Sequence, residues 1–133
     1  MIYGIGTDIV NIARIRAACE RHGERFAARI LAPVELSAWR EHSDPPRLLA
    51  KRFAAKEAFG KALGTGVAVP ATLHAVAVVH DPLGKPLYQF DPRLQAWMAE
   101  RQLRAHLSIS DEVEQVIAFA IVEQENAPAG ALA

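Results

Sequence analysis

The sequence predicts one domain in which helices and strands share a single core. Three observations carry that expectation. The chain has 133 residues, 51% hydrophobic and 23% charged, which suits one ordinary globular domain. Residues 47–63 form a proline-free run rich in Ala, Leu, Lys and Arg that ends at Gly64, the pattern of a long helix and its left-handed stop. Short period-two or continuously apolar segments follow it, two of them joined by a turn-rich stretch as a hairpin.

Taken in order, residues 2–10 read as a strand. Ile2, Gly4, Gly6 and Asp8 share one face, and Tyr3, Ile5, Thr7 and Ile9 the other. Two glycines weaken a strand unless another backbone must come close. Asp8, at its end, is either a turn carboxylate or a functional one. Asn11 caps a helix running to about residue 22, Gly23 ends it, and a second helix covers 24–31. Between Asn11 and Ile30 lie five arginines (Arg14, Arg16, Arg21, Arg25, Arg29) against Glu20 and Glu24, a local surplus of three positive charges. Such a surplus is either a solvated helical face or a docking patch for an acidic partner, which the arginine fork suits.

Pro33 opens a further helix over PVELSAWRE, and residues 42–46 form a polar loop. The long helix then places Leu49, Phe53, Gly60 and Leu63 on one stripe. Arg52 and Lys56 fall inside that stripe, Glu57 on its flank and Lys61 one turn further on. Residues 73–79 and 85–90 form the hairpin around HDPLG, and Lys85 sits beside its turn glycine. Asp91 and Pro92 start another helix, with Leu94, Trp97, Met98 and Leu103 as core. HLSIS at 106–110 alternates, which puts His106, Ser108 and Ser110 on one strand face. VIAFAIV at 116–122 is apolar on both faces and is expected to be a buried central strand. One domain over 1–124 and a mobile tail over 125–133 are expected, because the tail has no periodicity.

Composition narrows the function classes. Fifteen basic and fifteen acidic residues cancel, so the whole-chain field offers nothing to nucleic acid. No apolar run approaches the ~20 residues that span a bilayer, so no membrane association is expected. Met1 runs straight into IYGIGTDIV without the pattern of a secretory leader, and Cys19 is the only cysteine, as suits a reducing cytoplasm. A single cysteine also rules out an intrachain disulfide and a cysteine-cluster zinc site.

Arg52 and Lys56 either snorkel from the edge of the core stripe or serve a site. With Lys61, the two carboxylates Asp8 and Glu57, the GTG loop and a strand face bearing His106 and Ser108, they suit an anionic ligand with a metal. Hard oxygen ligands near cations fit magnesium on a pyrophosphate. Phosphoryl-group transfer needs mainly positioning and charge neutralisation, which these residue types supply.

The sequence resembles the holo-[acyl-carrier-protein] synthase family, the short type of 4′-phosphopantetheinyl transferase. The matching pieces are IYGIGTDIVNIARI at 2–15, RFAARIL at 25–31, RFAAKEAFGKALGTG at 52–66, LGKP at 83–86, HLSIS at 106–110 and the closing IAFAIVE. The resemblance implies an α+β fold with a mostly antiparallel sheet packed against a long helix. It also implies a homotrimer with active sites between subunits. The implied activity moves the 4′-phosphopantetheine group of coenzyme A to a serine of an acidic apo acyl carrier protein, with release of adenosine 3′,5′-bisphosphate, in fatty acid biosynthesis. By resemblance, Asp8 and Glu57 hold magnesium, and Lys61 lies near the pyrophosphate, where it stabilises charge or protonates the leaving group; the base for the carrier serine is left open between Glu57 and a metal-bound water that Glu57 orients. Arg52, Gly64, Lys85, Pro86, His106 and Ser108 fall near the nucleotide and phosphates, and Arg14, Arg21 and Arg25 on the surface that receives the carrier. Many relatives carry histidine where this chain has Asp111, so that position receives no role. A non-catalytic binder of coenzyme A would keep the cations and lose Asp8 or Glu57; both are present. A purely structural oligomerisation domain would not explain charges on the core stripe.

Overall fold

Two glycines on the first strand decide how the domain is assembled. In the computed structural model, which describes residues 1–125, a Cβ on Gly4 would lie 1.8 Å from Ala62 O, and one on Gly6 would lie 2.1 Å from Ala58 O. Only glycine lets the long helix rest directly on this strand, the close approach that the sequence suggested. The elements run β1 (Ile2–Asn11), α1 (Ile12–His22), α2 (Glu24–Ile30), a 3-10 turn (Pro33–Glu35), α3 (Leu36–Glu41) and α4 (Pro45–Leu63). They continue through β2 (Val76–His80), β3 (Pro86–Phe90), α5 (Pro92–Glu100), β4 (Leu103–Asp111) and β5 (Gln115–Gln124). The fold is α+β: an antiparallel sheet in the order β1–β5–β4, a separate β2–β3 hairpin, and helices packed on them.

The helix α4 is the core. Leu49, Ala50, Ala54, Ala55, Ala58 and Phe59 on it are fully buried, and so are Val116, Ala118, Ala120 and Val122 on the sheet face beneath. Small residues on both partners bring the helix close to the sheet, and burial of this apolar surface drives the packing. On its other side Phe59 packs at a tilt against Tyr88 and Phe90, with ring centroids 5.1 Å and 5.0 Å away, and the Tyr88 hydroxyl donates to Ala55 O at 2.6 Å. The helix is therefore buried on nearly every side, a wider contact than one apolar stripe. Gly64 ends it at φ 90°, with its N–H on Gly60 O.

The two cations inside the stripe do not snorkel. Lys56 donates to Glu35 Oε1 at 2.6 Å, Ile30 O at 2.7 Å and Leu73 O at 2.8 Å, which uses all three of its protons. Glu35, itself buried, also accepts from the N–H groups of Ala32 and Val78. Arg52 lies 3.5 Å from Glu35 Oε2 and donates to Val78 O. Burial pushes the Lys56 pKa down, and the neighbouring Glu35 charge opposes that shift. Removing one partner of such a buried pair costs ~3–5 kcal/mol.

Boundaries shift for identifiable reasons. PVELSAWRE is not one helix: its first turn is 3-10, because Glu35 turns inward to cap Ala32 N–H and to meet Lys56. The first hairpin strand starts at Val76 rather than 73, since Thr72 O and Oγ1 hold Ala75 N–H in a turn and Leu73 O is taken by Lys56. Lys85 belongs to the turn, where Asp81 Oδ1 accepts its N–H. The long helix begins earlier, with Pro45 in the position that tolerates proline. Segment 116–122 is the central strand as expected, but its outer face is not covered: Ile117 and Phe119 are 44% and 38% exposed. The tail assigned to 125–133 lies, apart from Glu125, outside the described residues.

Candidate active site

Because α4 rests on Gly4 and Gly6, its flank at Glu57 and Lys61 is delivered to the next inward-facing residue of β1, Asp8. Lys61 Nζ sits 3.2 Å from Asp8 Oδ1 and donates to Thr7 O at 2.9 Å. The Asp8 side chain is largely covered, at 17% exposure. The Glu57 pKa is raised, first by burial and then by the Asp8 charge, while Lys61 pulls it down. Two neighbouring carboxylates form a hard-oxygen set of the kind that suits a divalent cation. Among the described residues no group of three or more His, Cys, Asp or Glu side chains converges. A cation here would therefore complete its shell from substrate oxygens and water, the usual habit of magnesium.

Asp8 and Glu57 open onto a cavity of about 520 Å³. Its floor is apolar, with Val10, Ile15, Phe26 and Phe53, and its rim carries Arg14 and Arg21 of α1. Asn11 positions that rim by accepting Ala13 N–H on its side chain at 2.9 Å. Arg25 stands beside a neighbouring cavity with His22, Phe26 and Arg29.

The other sequence-predicted residues are not in this cavity. Arg52 lines a separate recess of about 310 Å³ with His42, Lys51 and His80. Burial and the nearby Arg52 and Lys51 charges depress the His80 pKa. The supposed single cluster of three cations thus divides: Arg52 and Lys56 serve Glu35, and Lys61 alone serves Asp8. His106 and Ser108 lie on the opposite face of the sheet from Asp8. Asp8 is in register with Ala118 and Ile109, which point toward α4, whereas Thr7, Phe119 and Ser108 form the adjacent row and point outward. His106 Nε2 is 3.3 Å from Glu123 Oε2 on that outer face. Lys85 and Pro86 stand at the hairpin turn and Gly64 at the end of α4. Sequence reasoning missed Glu35. Its signal was two cations on a core-facing stripe, which require a buried counter-charge.

An α+β domain that seats two carboxylates and a lysine beside a basic-rimmed cavity is the scaffold of a family with a known model. The chain belongs to the 4′-phosphopantetheinyl transferase superfamily, whose model matches residues 4–120. Within it, the chain is 70% identical over 123 residues to the holo-[acyl-carrier-protein] synthase of Azoarcus sp. (strain BH72), covering 92% of this chain and 98% of that one. It superposes on the holo-[acyl-carrier-protein] synthase of Neisseria meningitidis with a TM-score of 0.90 at 46% identity, covering 93% of this chain and all of that one. The Helicobacter pylori holo-[acyl-carrier-protein] synthase, solved in complex with coenzyme A, matches with a TM-score of 0.77 at 28% identity, over 90% of this chain and 99% of that one. No helix among the described residues is long and apolar enough to cross a membrane.

Proposed function

We propose that this chain transfers the 4′-phosphopantetheine group of coenzyme A to a serine of apo acyl carrier protein, in the cytoplasm and for fatty acid biosynthesis. The observation that carries this reading is the convergence of Asp8, Glu57 and Lys61 at the mouth of a cavity rimmed by Arg14 and Arg21. In the reaction the serine oxygen bonds to the phosphorus next to the pantetheine arm. The pyrophosphate P–O bond breaks, and adenosine 3′,5′-bisphosphate leaves with the electron pair. Lys61 faces the charge that builds on the leaving phosphate. Glu57, or a water that it orients, takes the serine proton. Asp8 and Glu57 would hold magnesium, which when bound neutralises the pyrophosphate. Arg14, Arg21 and Arg25 receive the acidic carrier, speeding its encounter.

The active unit is a homotrimer with sites between subunits. Two features support this: His106 and Ser108 stand on the far side of the sheet from Asp8, and Ile5, Ile9, Ile117 and Phe119 are bare on that outer face. A second copy on this face buries the apolar patch and brings one subunit's His106 and Ser108 to another's carboxylates. The test is thermal unfolding with coenzyme A. A rise in Tm that needs magnesium and vanishes in Glu57→Ala is expected. An equal rise without magnesium refutes the metal role.

A further inference from the structure

One side chain outside the site is linked to α1 through two neighbouring groups. Arg47, at the start of α4, spends its guanidinium on two segments of chain, residues 111–113 and Asp44. Its Nη1 donates to Asp111 Oδ2 at 2.9 Å and to Glu112 O at 2.8 Å, its Nη2 to Val113 O at 3.0 Å, and its Nε to Asp44 Oδ2 at 3.4 Å. Lys51 adds a second cation to Asp111 at 3.4 Å. The turn 112–114 that Arg47 grips joins β4 to β5, and its next carbonyl, Glu114 O, accepts the N–H of Ile12 at 2.9 Å. Ile12 is the first residue of α1, and its N–H is one of the helix-start donors that no intrahelical carbonyl can satisfy. Asp44, the other partner of Arg47, pairs with Arg16 one turn along α1 at 3.2 Å. The Arg16 hydrogen bond holds the Asp44 carboxyl below its ordinary pKa. The same guanidinium therefore ties α1 at two points, through Glu114 O to Ile12 and through Asp44 to Arg16.

We propose that Arg47 is a positioning residue for carrier-protein capture, setting the pose of α1, and with it Arg14 and Arg21, against the Asp8–Glu57 cavity. The proposal rests on the reading of α1 as the carrier-docking helix. It gives Asp111, the departure from the family pattern, a structural role as the anchor of that guanidinium. Lysine cannot replace Arg47, because one ammonium cannot reach Asp44 and the 111–113 acceptors together with fork geometry.

The test combines Arg47→Met and Arg47→Lys with two readouts. Amide hydrogen exchange in the free protein reads the latch alone, and separate KM values for carrier protein and coenzyme A read its consequence. In Arg47→Met the Ile12 amide should lose protection and the carrier KM should rise about fivefold, ~1 kcal/mol at 1.4 kcal/mol per tenfold, with coenzyme A KM within about twofold. Arg47→Lys should behave like Arg47→Met. Full rescue by lysine would reduce Arg47 to a long-range charge and overturn the proposal. Unchanged Ile12 protection, or equal rises in both KM values, would overturn it as well. Arg14→Glu separates the two layers. If it raises carrier KM while Arg47→Met does not, the latch fails and the docking surface stands. If neither variant moves carrier KM, the docking reading itself fails.

Discussion

Lys61 Nζ lies 3.2 Å from Asp8 Oδ1, joining the end of the central helix to the strand on which that helix rests. This contact spans 53 residues of sequence and exists because Gly4 and Gly6 admit the helix backbone. Asp8→Asn keeps the size and the hydrogen-bonding oxygen but loses the charge. It should leave the fold intact and lower turnover by roughly 10²–10³-fold. Steady-state kinetics across a magnesium titration checks this; full activity at low magnesium would contradict it.

Glu57 has a raised pKa in the folded state, so its ionisation works against folding. The sign follows from linkage. Below its ordinary value of 4.5 both states hold the proton and the group contributes nothing. As pH rises past that value the unfolded chain ionises first, and the penalty grows until the folded carboxyl also ionises, after which it is constant. Glu57→Gln should therefore raise the Tm of the ligand-free protein at pH 7 to 8, with the gain shrinking toward pH 4. The same variant should be nearly inactive. A Tm gain that does not change with pH would point to packing instead of charge.

Gly6→Ala puts a methyl 2.1 Å from Ala58 O and 2.7 Å from Ala62 N, both backbone atoms that cannot move aside cheaply. Overpacking of this kind should cost at least ~2 kcal/mol and lift α4 from β1. Urea unfolding measures the loss, and a Glu57 or Lys61 displaced from Asp8 should lower activity further than the lost stability explains. A variant as stable and active as the parent would refute the close approach.

Phe119 stands on the uncovered sheet face between Thr7 and Ser108. Phe119→Glu places a charge in the proposed subunit contact while leaving the inner core untouched. Sedimentation should show dissociation to monomer, and activity should fall with it, because His106 and Ser108 then have no partner site. Trimers at the same concentration as the parent would contradict the assignment of this face.

Much of this was legible in the sequence because it rests on local rules. Asn11, Gly23, Gly64 and Asp91 mark helix ends by capping chemistry, and the two glycines of β1 announce a close neighbour. Residue chemistry grouped Asp8 and Glu57 only as candidates, and the family motifs made them a pair, since no periodicity links positions so far apart. The pairing of Lys56 and Arg52 with Glu35 was not foreseen. A lysine on a core stripe signals a buried partner but does not say where in the chain it lies. Arg47 was invisible for a related reason: two of its four acceptors are backbone carbonyls, which carry no residue signature, and Asp111 lies 64 residues away. Strand 116–122 was read as buried on both faces from its composition, and in the single chain the face that carries Ile117 and Phe119 is exposed.

The central claim is tested most directly by intact-mass spectrometry of apo acyl carrier protein incubated with this protein, coenzyme A and magnesium. A gain of one phosphopantetheine mass, abolished by chelator and by Glu57→Ala, is the expected result. No mass gain from a protein that still binds coenzyme A would contradict it.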